Sequence, residues 1–335
     1  MSSLRQHALR AVVLVQRYPK LVALFGFVSG VASFVLVDRQ DEFARVIPLL
    51  MLVSWVWLML ENVLNRGLVR WFGHELPPAV LRYATQLIHQ ESLFFVLPFF
   101  YVTTAWNSGQ FVFSGLLLAS ALVAIVDPVY YKWLATRRWT YLAYHTLTLF
   151  AVLLVALPII FHLTTPESYR LALAAAVLLS FPSLLRAVPL AVWWRWFALV
   201  GLTLGLGAVG WLARSSVPPA TLWLTEVAVS ETLSERAPGA SLTTVTAAQL
   251  QANGLFAFTA IRAPRGLDER IHHVWLHDGK IVDRIPLDIR GGREAGYRAW
   301  THKQNFPDNP SGRWHVKVMT EAGQMIGMLR FRVIR

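Results

Sequence analysis

The feature that most constrains this chain is the one-sided placement of its long apolar runs. Nearly all of them lie before Ala213, and alternating patterns take over after Pro219. With 335 residues, 55% of them hydrophobic, and a mean hydropathy of +0.47, the chain is too apolar for an ordinary water-soluble fold. The asymmetry divides it into a first part suited to a bilayer and a second part suited to water.

Seven runs read as membrane-crossing helices: residues 21–37, 46–60, 92–106, 110–126, 141–163, 169–185 and 190–213. Crossing the hydrocarbon takes about 20 apolar residues, so the second and third are short. The expected fold class is an α-helical transmembrane bundle of about seven spans followed by an all-β sandwich, immunoglobulin-like in outline. The corresponding domains are a basic cytoplasmic segment at 1–20, a transmembrane region at 21–213, a linker at 214–220 and an extracytoplasmic β-domain at 221–335. Arg5, Arg10, Arg17 and Lys20 precede the first run, and Asp38-Arg39-Gln40-Asp41 follows it in place of a small-residue cleavage site, which reads as an uncleaved signal anchor.

Loop charge sets the expected orientation. Arg5, Arg10, Arg17, Lys20, Arg66, Arg70, Arg82, Lys132, Arg137, Arg138 and Arg186 fall on one side, and Arg39, Arg45, Arg170 and Arg214 on the other. Eleven against four is a positive-inside bias that puts the N-terminus in the cytoplasm and the C-terminal part outside it. The net charge of +12 is thus in large part a topology signal, and nucleic acid is not an expected partner. The chain has no cysteine, so disulfides, thiolate catalysis and Cys-ligated metals are excluded.

Ionisable residues near or within the apolar runs are Glu61, His89, Glu91, Asp127, His145, His162 and Arg195. Most lie at run ends, where side chains reach water, and hydrogen-bonded interfacial groups are their expected state. A transporter or channel would line its path with His145, Glu91 and Asp127. A membrane enzyme acting on lipid-linked sugars would use His89 or Glu91. No G-x-S-x-G, H-E-x-x-H or P-loop pattern is present, and His74-Glu75 lacks a second His. No catalytic residue, metal site or cofactor is assigned.

Past the linker, period-two alternation predicts seven short strands and no strong helix. Ile281, Ile285, Leu287 and Ile289 fall on one face of a strand, and Trp314, Val316 and Val318 oppose Arg313, His315 and Lys317. His277-Asp278-Gly279-Lys280 and Glu321-Ala322-Gly323-Gln324 read as hairpin turns. Trp314 is expected in the core. If the last two strands pair, Arg313, His315, Lys317, Arg330 and Arg332 form one outward stripe.

The runs LFAFTAI (255–261), HHVWLHDGK (272–280), YRAWTHK (297–303) and GRWHVKV (312–318), with a closing FRV (331–333), carry a resemblance. In that order they resemble the bacterial domain of unknown function number 2914, over most of 222–334. The apolar part resembles the multi-span region of unknown-function family 5924. The resemblance implies a proteobacterial inner-membrane protein with an outward β-domain and no assigned activity. The positions matching the pattern are His273, Trp275, Arg298, Trp300, Lys303 and Trp314, while Thr301-His302 stands where a Ser-like pair is expected. His273, Trp275, Arg298, Trp300 and Lys303 are the expected ligand contacts. The partners that follow are the lipid bilayer and an anionic glycan, lipid headgroup or protein of the envelope, bound without catalysis.

Overall fold

The computed structural model describes residues 17–39, 45–58, 78–187 and 194–335. Most of the basic N-terminal segment, Glu61, Arg66, Arg70, His74-Glu75 and the start of the last expected span lie outside the described residues. The chain divides into two compact units. One comprises Met1–Phe99, Gly115–Ala156 and Ala172–Ala208, and the other Phe100–Ser114, Leu157–Leu171 and Val209–Arg335.

The helices are α1 (Pro19–Arg39), α2 (Arg45–Leu58), α3 (Pro78–Thr103), α4 (Gln110–Ile125), α5 (Arg138–Phe161), α6 (Thr165–Ala187) and α7 (Arg195–Leu212). The seven-span expectation is overturned. Among the described residues two helices are long and apolar enough to cross a membrane, Arg138–Phe161 and Trp196–Ser216; Leu24–Leu36, Arg45–Leu58 and Gln110–Ile125 are shorter apolar helices. Helix α4 has 16 residues, a rise of about 24 Å against a hydrocarbon core of roughly 30 Å. Helix α3 has length enough at 26 residues, but Gln86, His89, Gln90, Glu91 and Ser92 interrupt it, and the run at 92–106 is only its second half. Helix α6 carries Glu167, Arg170 and Arg186. Apolar runs and helices are therefore out of step, and the N-terminal part is a mixed helical domain.

Within that domain the polar block of α3 is a hub. Pro128 has no N–H, so the Ala124 carbonyl of α4 lacks its usual partner four residues on. Gln86 and Gln90 replace it, donating to Ala124 O over 2.9 and 2.7 Å. Trp55 of α2 donates to Ser92 Oγ over 2.9 Å, and Ser29 of α1 donates to Glu91 over 3.0 Å. Gly30 lies so close to α3 that a Cβ there would come within 2.6 Å of the Phe94 carbonyl carbon.

The β-domain holds strands β1 (Trp223–Ser230), β2 (Leu233–Ser234), β3 (Ala237–Pro238), β4 (Thr244–Thr246), β5 (Leu255–Arg262), β6 (Asp268–His277), β7 (Lys280–Arg290), β8 (Tyr297–Lys303), β9 (Gly312–Thr320) and β10 (Met325–Ile334). A three-stranded sheet, β1-β5-β8, faces a five-stranded sheet, β4-β10-β9-β6-β7. Alternation drives Leu255, Ala257 and Ile261 from one sheet, and Ile271, Trp275, Trp314, Val316, Val318 and Phe331 from the other, into a single core. Trp314 is fully buried and donates to Pro310 O.

Two features depart from a purely antiparallel reading. The β4 and β10 strands run parallel, and a short helix α8 (Ala247–Asn253) opens with a Thr246/Gln249 capping box. The β6–β7 turn has Asp278 at φ 45° and Gly279 at φ 84°, the double positive φ of a type I′ hairpin. Just beyond it a register shift pairs Trp275 with Asp283 but Leu276 with Ile281. The extra residue flips Ile281 off the face of Ile285, Leu287 and Ile289 and leaves it 69% exposed.

The β-domain is clasped at one end by helix termini of its own unit. Gln110, at the start of α4, donates to Met325 O over 2.9 Å, and Arg214, just past α7, donates to Ala322 O over 3.0 Å. Gln324 donates to Val217 O over 2.9 Å. Glu269, at the start of β6, accepts from Thr165 N over 2.7 Å and from Thr165 Oγ1 over 3.0 Å, at the N-terminus of α6.

Candidate functional site

The five residues expected to contact a ligand come from both sheets, His273 and Trp275 from β6 and Arg298, Trp300 and Lys303 from β8, and they divide between the inside and the outside of the sandwich. Strand β8 alternates, sending Ala299, Thr301 and Lys303 inward and Arg298, Trp300 and His302 outward. Arg298 is exposed, and Trp300 packs with Leu233 on Ala228, Phe258 and Ala260 on the outer face. His273, Trp275 and Lys303 point into the sandwich and are buried. The fold thus brings His273 and Trp275 together and separates them from Arg298 and Trp300.

The inward group is a closed hydrogen-bond chain. His273 Nδ1 lies 3.0 Å from Thr301 Oγ1, and its Nε2 lies 3.1 Å from Thr259 Oγ1. Trp275 Nε1 donates to Thr301 Oγ1 over 3.3 Å, and Thr259 Oγ1 donates to Ala299 O over 3.3 Å. One proton assignment satisfies every member: Trp275 N–H to Thr301, Thr301 O–H to His273 Nδ1, His273 Nε2–H to Thr259, and Thr259 O–H to the Ala299 carbonyl. Burial pushes the His273 imidazole down to about 3, so it is neutral and its ring is fixed by both partners. With every polar atom engaged, this cluster specifies the core. Thr301 is its centre, although the Thr301-His302 pair reads in the sequence only as a departure from the family pattern.

Lys303, 5% exposed, reaches from the three-stranded sheet to Asp283 on β7, with Nζ to Oδ2 at 2.9 Å and the ammonium 5.5 Å from the Phe306 ring centre. The hydrogen bond from Lys303 holds the Asp283 carboxyl below its ordinary range. This ion pair ties the two sheets.

The outward face of the five-stranded sheet has the opposite character. Strand β9 presents Arg313, His315, Lys317 and Met319, and β10 presents Met328, Arg330 and Arg332. The register sets Arg332 opposite Arg313 and Arg330 opposite His315, with Lys317 opposite Met328. Arg284 extends the face on β7, opposite Val274. Among the described residues, no carboxylate forms an ion pair with Arg284, Arg313, Lys317, Arg330 or Arg332. Burial first, and then Arg330, Arg313 and Lys317, hold His315 below its ordinary pKa, with Asp278 pulling the other way. Like charges directly opposite on neighbouring strands destabilise a sheet. Nearer the clasped end the charge is balanced, because Arg270 pairs with Asp288 at 2.8 Å.

In the helical unit, His89 Nδ1 lies 2.8 Å from Tyr130 OH and its Nε2 lies 3.1 Å from His145 Nδ1. Gln86 holds Asp127 over 2.8 Å. The groups that a transport path would use are thus each held by a separate hydrogen bond, His145 by His89, Asp127 by Gln86 and Glu91 by Ser29. Pro128, which orphans a carbonyl four residues back, was the sequence signal for Gln86 and Gln90.

A family model described as a protein of unknown function, DUF2914, matches residues 268–333, the segment from β6 to the end of β10. No curated protein and no solved structure matches the chain. A model described as a family of unknown function, DUF5924, matches residues 1–257, so its match runs past the helices through β1 to β4 and into β5. The β-domain is accordingly assembled from both matched segments, and by the match that spans most of its length the chain belongs to the DUF5924 family.

Proposed function

We propose that this protein is a bilayer-anchored binding module of the bacterial inner membrane, whose β-domain recognises an anionic partner of the envelope on the far side from the cytoplasm. The observation that carries the reading is the outward face of the five-stranded sheet, where Arg332 stands opposite Arg313 and Arg330 opposite His315 and, among the described residues, no carboxylate forms an ion pair with these three arginines. A fold that bears such repulsion gains from an anion that relieves it.

Anchoring is supported by α7. Only 6% of its apolar window is buried, against 61% for α5, which packs as the core of a helical domain does. A helix of that length with most of its apolar surface exposed is better accommodated by lipid than by water. Orientation is supported by loop charge. The helix-end segments that belong to the β-domain's unit carry only Arg170 and Arg214, whereas the segment between α4 and α5 carries Lys132, Arg137 and Arg138. A reporter fused after Arg335 in intact cells, together with carbonate extraction of membranes, tests the reading. Periplasmic activity in a carbonate-resistant fraction is expected. Cytoplasmic activity, or release by carbonate, refutes it.

A further inference from the structure

The like-charged face is graded along the strands. The β-domain is clasped to helix ends through Ala322, Met325 and Glu269. Arg313 lies seven residues along β9 from Thr320, and Arg332 seven residues along β10 from Met325, which at about 3.3 Å per residue puts both roughly 23 Å from the clasped end. The balanced pair Arg270–Asp288 sits near the clasp, and at the far end the guanidinium groups of Arg313, Arg330 and Arg332 form no ion pair among the described residues, the nearby Asp278 carboxylate accepting the Arg313 backbone N–H over 3.0 Å. That distance is more than two screening lengths, since charge is damped over about 8 Å at physiological ionic strength, so the far end of the sheet is electrostatically separate from the clasp. An anion bound there is held by this end of the sheet alone, independently of the clasped helix ends.

The chemistry of the face narrows the choice. Its outward positions on β6, β7, β9 and β10 include no Phe, Tyr or Trp. Recognition of nucleobases relies on stacking platforms that this face lacks. Its cations are mostly arginine, whose planar fork pairs with phosphate through two parallel hydrogen bonds. They form a ladder, with neighbouring strands about 4.8 Å apart and alternate residues along a strand about 6.7 Å apart, so several charges of one flexible chain can be held at once.

Resting on the reading above, we infer that the far end of the five-stranded sheet, built on Arg313, Arg330 and Arg332, binds an extended phosphate-bearing polyanion, such as a phosphorylated glycan, in the aqueous space beyond the membrane. The ligand is held through its repeated phosphates and not through its rings.

The test uses the full chain in phosphatidylcholine nanodiscs, with inorganic polyphosphate, inorganic monophosphate and phosphatidylglycerol vesicles as probes. Polyphosphate is expected to bind with an affinity that falls steeply with salt, and to lose about tenfold, or about 1.4 kcal/mol, in the double variant Arg313→Ser/Arg332→Ser. Arg290→Ser, at an exposed pair with Asp268 near the clasp, is expected to bind as the parent does. Thermal unfolding of each variant guards against loss of fold. Binding to vesicles but not to polyphosphate would overturn the inference and leave an anionic partner standing. Equal affinity for monophosphate, or a double variant that binds undiminished, would also overturn it. Binding to none of the three anions would remove this inference together with the charge argument for an anionic partner, whatever the reporter fusion shows.

Discussion

Glu269 offers the sharpest check on how the β-domain is held. Its carboxylate is 3% exposed and touches the N-terminus of α6 through Thr165 N and Oγ1. Burial raises its pKa, the Thr165 hydrogen bonds pull the other way, and Glu321 and Glu167 raise it further, leaving it at about 7. A carboxyl whose folded pKa lies above its ordinary 4.5 binds its proton more tightly in the fold than in the unfolded chain. Its contribution to stability is therefore full below about 4.5 and is lost as pH rises toward about 7. Each unit of separation corresponds to about 1.4 kcal/mol, so the full loss is on the order of 3 kcal/mol. Glu269→Gln keeps the shape and an acceptor for Thr165 but cannot ionise. In paired denaturation series from pH 4.5 to 8.5, the variant should match or trail the parent at low pH and overtake it above neutrality. Parallel curves across the whole range would show that the carboxylate is not desolvated in this contact and would refute the account of the clasp.

Two further perturbations separate packing from pairing. Thr301→Val leaves both His273 Nδ1 and Trp275 Nε1 without partners in a dry core, at a cost of about 2–4 kcal/mol, while Thr301→Ser restores most of it. Equal unfolding midpoints for the Val and Ser variants would deny the hydroxyl its central place. For the inter-sheet ion pair, Asp283→Ala strands a buried ammonium and should cost about 2–3 kcal/mol, whereas Lys303→Met, which leaves a part-exposed carboxylate free to reach water, should cost less than half of that. A double-mutant cycle read by chemical denaturation checks the asymmetry, and the reverse order would contradict it.

Local pattern carried much of the β-domain. Strand β5 was legible to the residue because its hydrophobic run is bounded by turn signals, and Asp278-Gly279 announced its hairpin because few other pairs tolerate two positive φ angles. Trp314 was placed in the core by alternation alone. The same alternation misplaced Ile281, because a bulge shifts register without altering composition. In the helical part, hydropathy located apolar stretches, but it could not show that the polar block of α3 turns inward to supply Ala124 with the donors that Pro128 withholds.

The sequence by itself determined which residues would be apolar within helices, which strands would alternate, and that Arg313, His315, Lys317, Arg330 and Arg332 would share a face if their strands paired. These follow from periods of 3.6 and 2 residues, which are properties of the local backbone. Only the tertiary structure decided that β9 and β10 do pair, with Arg332 opposite Arg313, and that His273, Trp275 and Lys303 turn inward while Arg298 and Trp300 turn out. It also decided that Glu269 and Thr165 meet across 104 residues of chain. Register and long-range contact depend on which surfaces bury best against each other across the whole fold, and no stretch of sequence contains that comparison.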